Sequence, residues 1–262
     1  MLKISTFYFY LLRTSLRASI SRRGAFLIEA SLIAINNLIF FSIWWIFFRQ
    51  FKDIGGWQFI DMVALMAIGT GAYGLAEIFF GGVKTLSSMI ISGDLDPFLT
   101  QPKDPLLHIA GSRSLAKGWG HLMTTLLLVT FSSLATWSTT PLILISLLSG
   151  CLVFTAMRIM AHSLPFWMGS VEGLSKKYCD ALFLFALYPT NIYSGILQLF
   201  MFTVIPAGII GYLPVELIRD FSWDKLFILL GSSVVLFALA FFVFRQGLKR
   251  YESGNRFGLR GG

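Results

Sequence analysis

Long apolar runs alternate with short polar or proline-marked segments along this chain. The runs cover about 25–48, 58–81, 119–137, 142–165, 180–203 and 226–244. Each is close to or above the roughly 20 residues that a membrane-spanning helix needs. They are continuous and do not alternate with period two, which argues against a transmembrane β-barrel. The pattern predicts an all-α polytopic membrane protein with six transmembrane helices, forming a single transmembrane domain over 1–262. Composition agrees. Apolar residues make up 56% of the chain and charged residues 13%, with 26 phenylalanines and 7 tryptophans. That charged share is about half that of ordinary soluble domains, too little polar surface to cover a soluble globule.

Basic residues orient the spans. With both termini on one face, sixteen Lys and Arg fall on the terminal side (1–24, 82–118, 166–179 and 245–262), and four fall opposite (Arg49, Lys52, Arg219 and Lys225). The positive-inside rule then places both termini in the cytoplasm. The net charge of +8 sits beside the apolar runs, so it points to membrane lipid and not to nucleic acid. Residues 1–24 have no compact apolar core with a small-residue cleavage site, so no cleavable signal is expected there. Lys3, Thr6, Tyr10, Arg13 and Arg17 recur at helical spacing, with Ile4, Phe7, Leu11, Leu12 and Leu16 on the broader apolar side. That is an amphipathic helix suited to lie along the anionic leaflet.

The 82–118 loop is expected to be cytoplasmic. Val83, Leu86 and Ile90 share a helical face, and Gly93 suits a left-handed helix C-terminus. Asp96-Pro97 and Asp104-Pro105 each read as an N-cap followed by proline at the first helical position. The loop is therefore read as two or three short capped helices, a rigid object able to receive force. The motif GDLDPFLTQP after the second run is followed much later by YPTNIYSGILQLFMFTVIPAGIIGYLP. This order of G-x-LD-x-x-L-x-x-P, YP and IP-x-x-x-x-x-x-x-P resembles the membrane permeases of ABC exporters of the ABC-2 type, over essentially the whole chain.

The resemblance implies a permease in a prokaryotic plasma membrane, working with cytoplasmic ABC ATPase subunits and with a second copy or a sister permease. It implies that Gly93, Asp94, Leu95, Asp96, Pro97, Leu99 and Pro102 form the coupling element that ATPases contact. No cofactor is expected on this chain, with ATP and Mg on the partner subunit. The sequence has no G-x-x-x-x-G-K-[ST] phosphate loop; GGVKT at 81–85 lacks the Gly-Lys pair.

Residues 204–225 are apolar but broken by Pro206, Gly208, Gly211 and Pro214, which suits an outer re-entrant helical hairpin. Pro189 interrupts the fifth run after Tyr188 and is followed by Thr190, Asn191, Tyr193 and Ser194. This run is the candidate pathway or hinge element. Glu29, Glu77 and Arg158 lie within apolar runs at similar depth, where isolated charge is costly, so Arg158 is expected to pair with Glu77 or Glu29. His108, His121 and His162 lack metal-ligand spacing. Two other readings compete. An ion-coupled secondary transporter lacks support from any evident inverted repeat or central cluster of ionisable groups. An intramembrane enzyme using Ser194 with His162 as base lacks a recognisable nucleophile motif.

Overall fold

The computed structural model describes residues 2–251. The side chains of residues 2–5 and of Asn191 are outside the described set, as are residues 252–262 of the expected tail. The described chain is helical throughout, with one isolated bridge between Ile54 and Trp57. Helix α1 (Leu2–Ser21) meets α2 (Arg23–Gln50) at an elbow on Arg22. Next come α3 (Phe59–Phe79), a 3₁₀ turn at Gly81–Thr85 and the short helices α4 (Leu86–Ser92), α5 (Asp96–Leu99) and α6 (Pro105–Gly111). Helices α7 (Ala116–Phe131), α8 (Thr139–Ser163), α9 (Pro165–Met168) and α10 (Glu172–Ala186) follow. The described residues continue with a 3₁₀ turn at Thr190–Ile192, α11 (Ile196–Thr203), a π turn at Gly208–Tyr212, α12 (Leu213–Arg219) and α13 (Trp223–Leu248).

Helix α3 is the core of the bundle. Its most apolar stretch is 83% buried, against 17% for α2 and 22% for α13. Buried on all sides, α3 carries no single apolar stripe. It starts with a reciprocal cap: the Gln58 N–H donates to Asp61 Oδ2 at 2.8 Å. Small residues let α3 approach its neighbours. A Cβ on Gly118 would lie 2.7 Å from the Gly74 carbonyl, and one on Gly150 would lie 2.7 Å from Ala72 Cβ. Such close backbone approach is the usual way helices associate in lipid, where there is little hydrophobic drive between them.

The contacts give the helix directions. Along α3 and α7, Gly74 meets Gly118 and Thr125 Oγ1 donates to the Ala67 carbonyl at 2.9 Å, so the two run antiparallel. Along α3 and α8, Gly71 meets Leu147 and Glu77 meets Arg158, so these run parallel. Helices α8 and α13 are also parallel, joined by Ser149 to the Leu229 carbonyl near one end and Phe166 to Phe244 at the other. Helix α2 runs with α7, from the Phe26–Trp119 ring contact to the Asn37–Thr124 bond.

Four helices are long and apolar enough to cross a membrane, and the bent pair Ile196–Thr203 with Gly208–Arg219 would make five. The protein is thus an all-α, multi-pass membrane protein. Two expected spans take a different form. The run at 119–137 falls on a helix of only 16 residues, Ala116–Phe131, roughly 24 Å at 1.5 Å per residue, because the helix stops at Phe131 before a polar turn. The run at 180–203 is two helices and not one. Helix α10 stops at Ala186, since Pro189 disfavours helix at the residue before it. Gly195 then holds φ 60°, ψ −129°, a conformation open essentially to glycine alone.

The packing separates two glycines of similar sequence setting. Gly118→Ala should lower thermal stability in detergent by about 1–3 kcal/mol through overpacking. Gly231, with nothing within 4 Å of an added Cβ, should tolerate alanine with unchanged or slightly raised stability. A melting curve on each variant checks the opposite signs.

Candidate coupling element and buried ionic cluster

The segment from Gly81 to Gly111 folds as a mount with one buried and one exposed face. Val83, Leu86, Ile90, Leu95, Leu106 and Ile109 form its core and pack on Phe166, Ala240 and Phe244 of the α8–α9 and α13 ends. Gly93 takes the left-handed conformation, φ 76°, and the Asp94 N–H donates to the Met89 carbonyl at 2.9 Å. This closes α4 as a glycine C-cap does. Asp104 caps α6, accepting from the Leu107 N–H at 3.1 Å.

Asp96 differs from its expected role as N-cap. Leu95 occupies that position with no side-chain cap, and Asp96 is already in the first turn. Its carboxylate accepts instead from the Tyr251 hydroxyl at 3.0 Å, a partner 155 residues away that no local rule foresees. Burial, and then this bond to Asp96, push the Tyr251 phenol up to about 12. A tyrosine hydroxyl is protonated at neutral pH in any case; the raised value extends the contact to higher pH, and it is lost as pH rises through that value. Arg245 lies 3.6 Å from Asp104, so the end of α13 holds the mount at two points.

Helix α1 braces the other side. Tyr8 Oη donates to the Phe79 carbonyl at 2.9 Å, and Phe7 sits edge-on to His108 at 5.2 Å. Burial pushes the His108 imidazole below its usual value. The face of α1 bearing Phe7, Leu11, Leu12 and Leu16 is half-buried, while Thr6, Tyr10, Arg13 and Arg17 are exposed. Of the residues that the motif marks, Leu95 is fully buried. Asp94, Pro97, Leu99 and Pro102 are exposed and form a rim with Ile91.

Behind the mount lies the ionic cluster. Glu77 and Arg158 are each about 1% exposed, and Arg158 Nη2 lies 3.5 Å from Glu77 Oε1. Lys84 reaches the same carboxylate oxygen from the 3₁₀ turn. The guanidinium sits 4.3 Å over the Tyr73 ring, a contact that strengthens away from water. Glu29 is not in this cluster; it is half-exposed on α2 and lines a separate cavity. Beside the cluster, Asn37 Nδ2 lies 3.0 Å from His121 Nδ1 and donates to Thr124 Oγ1 at 3.1 Å. His162 Nδ1 lies 2.8 Å from Ser87 Oγ and pins α4 to α8.

The structure does not draw the other sequence candidates into one site. Tyr188 packs its ring against Phe40 and Trp44 of α2, and Ser194 is exposed on the break before α11. Asn191's side chain is outside the described residues. Pro206 and Pro214 flank the π turn, which stacks Tyr212 on Trp57 at 5.5 Å. Arg219 ties this end to α3 through Asp61 at 3.6 Å and the Gly56 carbonyl at 3.0 Å. Cys151 and Cys179 are buried and unbridged. Among the described residues, no group of three or more His, Cys, Asp and Glu could hold a metal ion.

A family model described as "ABC-2 family transporter protein" matches residues 32–255. The chain belongs to that family. It is a membrane permease component, a non-catalytic part of a transport system whose cytoplasmic ATPase subunits hydrolyse ATP. A search of curated proteins gave no match. In this ABC-2 permease, sequence reasoning singled out Glu77 and Arg158 but missed Lys84, Tyr73 and Asn37. Asn37 had a signal, a carboxamide inside an apolar run. Lys84 had none, because a lysine at a loop edge looks solvated until the turn folds it inward.

Glu77 faces two cations, and each cation faces one carboxylate. Glu77→Gln should therefore cost more stability than Lys84→Gln, on the order of 3–5 kcal/mol for stranding a buried charge. Arg158→Met/Glu77→Met together should cost less than Glu77→Gln alone. Unfolding midpoints of the four proteins in one detergent check the ranking.

Proposed function

We propose that this permease forms the translocation path of an ATP-driven exporter in a prokaryotic plasma membrane. Both termini are cytoplasmic, and ATPase subunits dock on the rim of α4 and α5. The observation that carries this reading is the two-faced mount: Leu95 and its neighbours lock it to α8 and α13, while Ile91, Asp94, Pro97, Leu99 and Pro102 remain exposed. An apolar, acid-marked rim on a rigid base suits a soluble partner that must push. A push there reaches α13 through Tyr251–Asp96, α8 through Ser87–His162 and α3 through Lys84–Glu77.

The same reading takes the chain across the membrane six times. The parallel course of α8 and α13 supports it, since residues 164–222 must then return the chain to the opposite face. The short α7 supports it by running antiparallel beside α3. On this topology α10, the break at 187–195 and α11 make the fifth crossing. Tyr188, Pro189, Asn191 and Ser194 lie at its discontinuity, where unwound backbone is tolerated only against protein or a water-filled path. Helix α1 lies along the cytoplasmic leaflet, and the bent segment around Pro206 and Pro214 covers the outer end. The exposed apolar faces of α2 and α13 are open to lipid and to a second permease, identical or sister. Few charges along the bundle suit a hydrophobic or amphipathic cargo.

The test is co-purification of tagged permease from membranes. Wild type should bring down a Walker-motif ATPase. Leu99→Asp with Asp94→Lys should lose it while accumulating normally. An ATPase retained in full by that variant, or transport driven by an ion gradient without ATP, would overturn the proposal.

A further inference from the structure

A cavity of about 510 Å³ opens at the elbow between α1 and α2. Its polar wall carries Arg22, Lys84 and Lys117 against one carboxylate, Glu29. Arg22 and Lys117 have no ion-pair partner among the described residues. The floor is the start of the 16-residue helix α7, whose first turn no side chain caps, so its N–H groups favour an anion. An independent observation points the same way. Ser114 lines the cavity, is 8% exposed, and its hydroxyl has no hydrogen-bond partner. A buried hydroxyl left unpaired costs stability; the oxygen is covered here, and a rotation of the side chain toward the cavity would give it a phosphate oxygen as partner.

We infer that this cavity binds the phosphate of an anionic phospholipid from the leaflet along which α1 lies. Position decides between a lipid and a free anion. The cavity sits where the spanning helix α2 begins, and Ala25, Phe26 and Leu115 line it beside the charges. The adjoining face of α2 exposes Ile28 and Leu32, a surface on which acyl chains can lie. Lys84 is shared: it lines the cavity and also pairs with Glu77. A bound phosphate draws on the lysine that joins the mount to α3, so lipid occupancy and the state of the coupling element are linked. The inference rests on the proposed placement of α1 along a membrane leaflet, and not on ATPase docking or on the direction of transport.

Native mass spectrometry of the full-length protein in detergent tests it, with phosphatidylglycerol, phosphatidylcholine and inorganic phosphate as probes. Phosphatidylglycerol should be held about tenfold more tightly than phosphatidylcholine, as expected for two unpaired basic groups near the surface. Arg22→Gln/Lys117→Gln should remove the preference, and Lys176→Gln/Lys177→Gln, at another basic segment, should leave it. If the first variant does not accumulate, Lys117→Gln alone should lose about half of the preference on a logarithmic scale. A preference that survives removal of these charges overturns the site. Displacement of phosphatidylglycerol by millimolar inorganic phosphate overturns the lipid assignment in favour of a free anion.

Discussion

Everything at the end of the bundle that carries the mount hangs on Glu77. One carboxylate oxygen, on the most buried helix, meets Arg158 of α8 and Lys84 of the mount. Burying these charges is costly, and neither the attraction nor the desolvation cost is negligible in so low a dielectric. What the arrangement supplies is registry. A carboxylate shared by two cations, one of them stacked on Tyr73, has few alternative geometries. Small shifts of the mount must therefore move α3 and α8 or break an expensive contact.

That constraint explains why the mount is built so firmly. Its apolar core continues into α13 and the α8–α9 end, and Tyr251, Arg245 and Ser87 add polar ties. Under the proposed docking, a mount that yielded under load would dissipate the motion of a soluble partner. The far end is held differently. There, Arg219 and the Trp57–Tyr212 stack fix the bent segment to the start of α3, leaving the discontinuity at 187–195 between two well-anchored ends.

Local chemistry was legible where it rests on neighbours in the chain. Gly93 needed a left-handed backbone and took it, and Asp104 capped the helix that follows it. The same rule misplaced Asp96, because a tyrosine far along the chain competes for its carboxylate. Pro189 announced an interruption, but its form depended on Gly195 as well, so a bent helix became a broken one. The polar residues of the candidate site were partly legible for a related reason. Charges inside apolar runs stand out, whereas Lys84 and Ser114 sit at loop edges where polarity is ordinary.

By itself the sequence determined that this is a helical, multi-pass membrane protein and where its helices are capped or interrupted. Length, continuity of apolar runs and capping chemistry act over a few turns and need no partner to be read. Tertiary structure alone decided which cation meets which carboxylate, that Tyr251 reaches Asp96, and that the α1–α2 elbow encloses a basic cavity. Those outcomes depend on side chains tens of residues apart meeting in a medium where unpaired polar groups are expensive. Such pairings are selected by the whole packed bundle and leave no periodic trace in the chain.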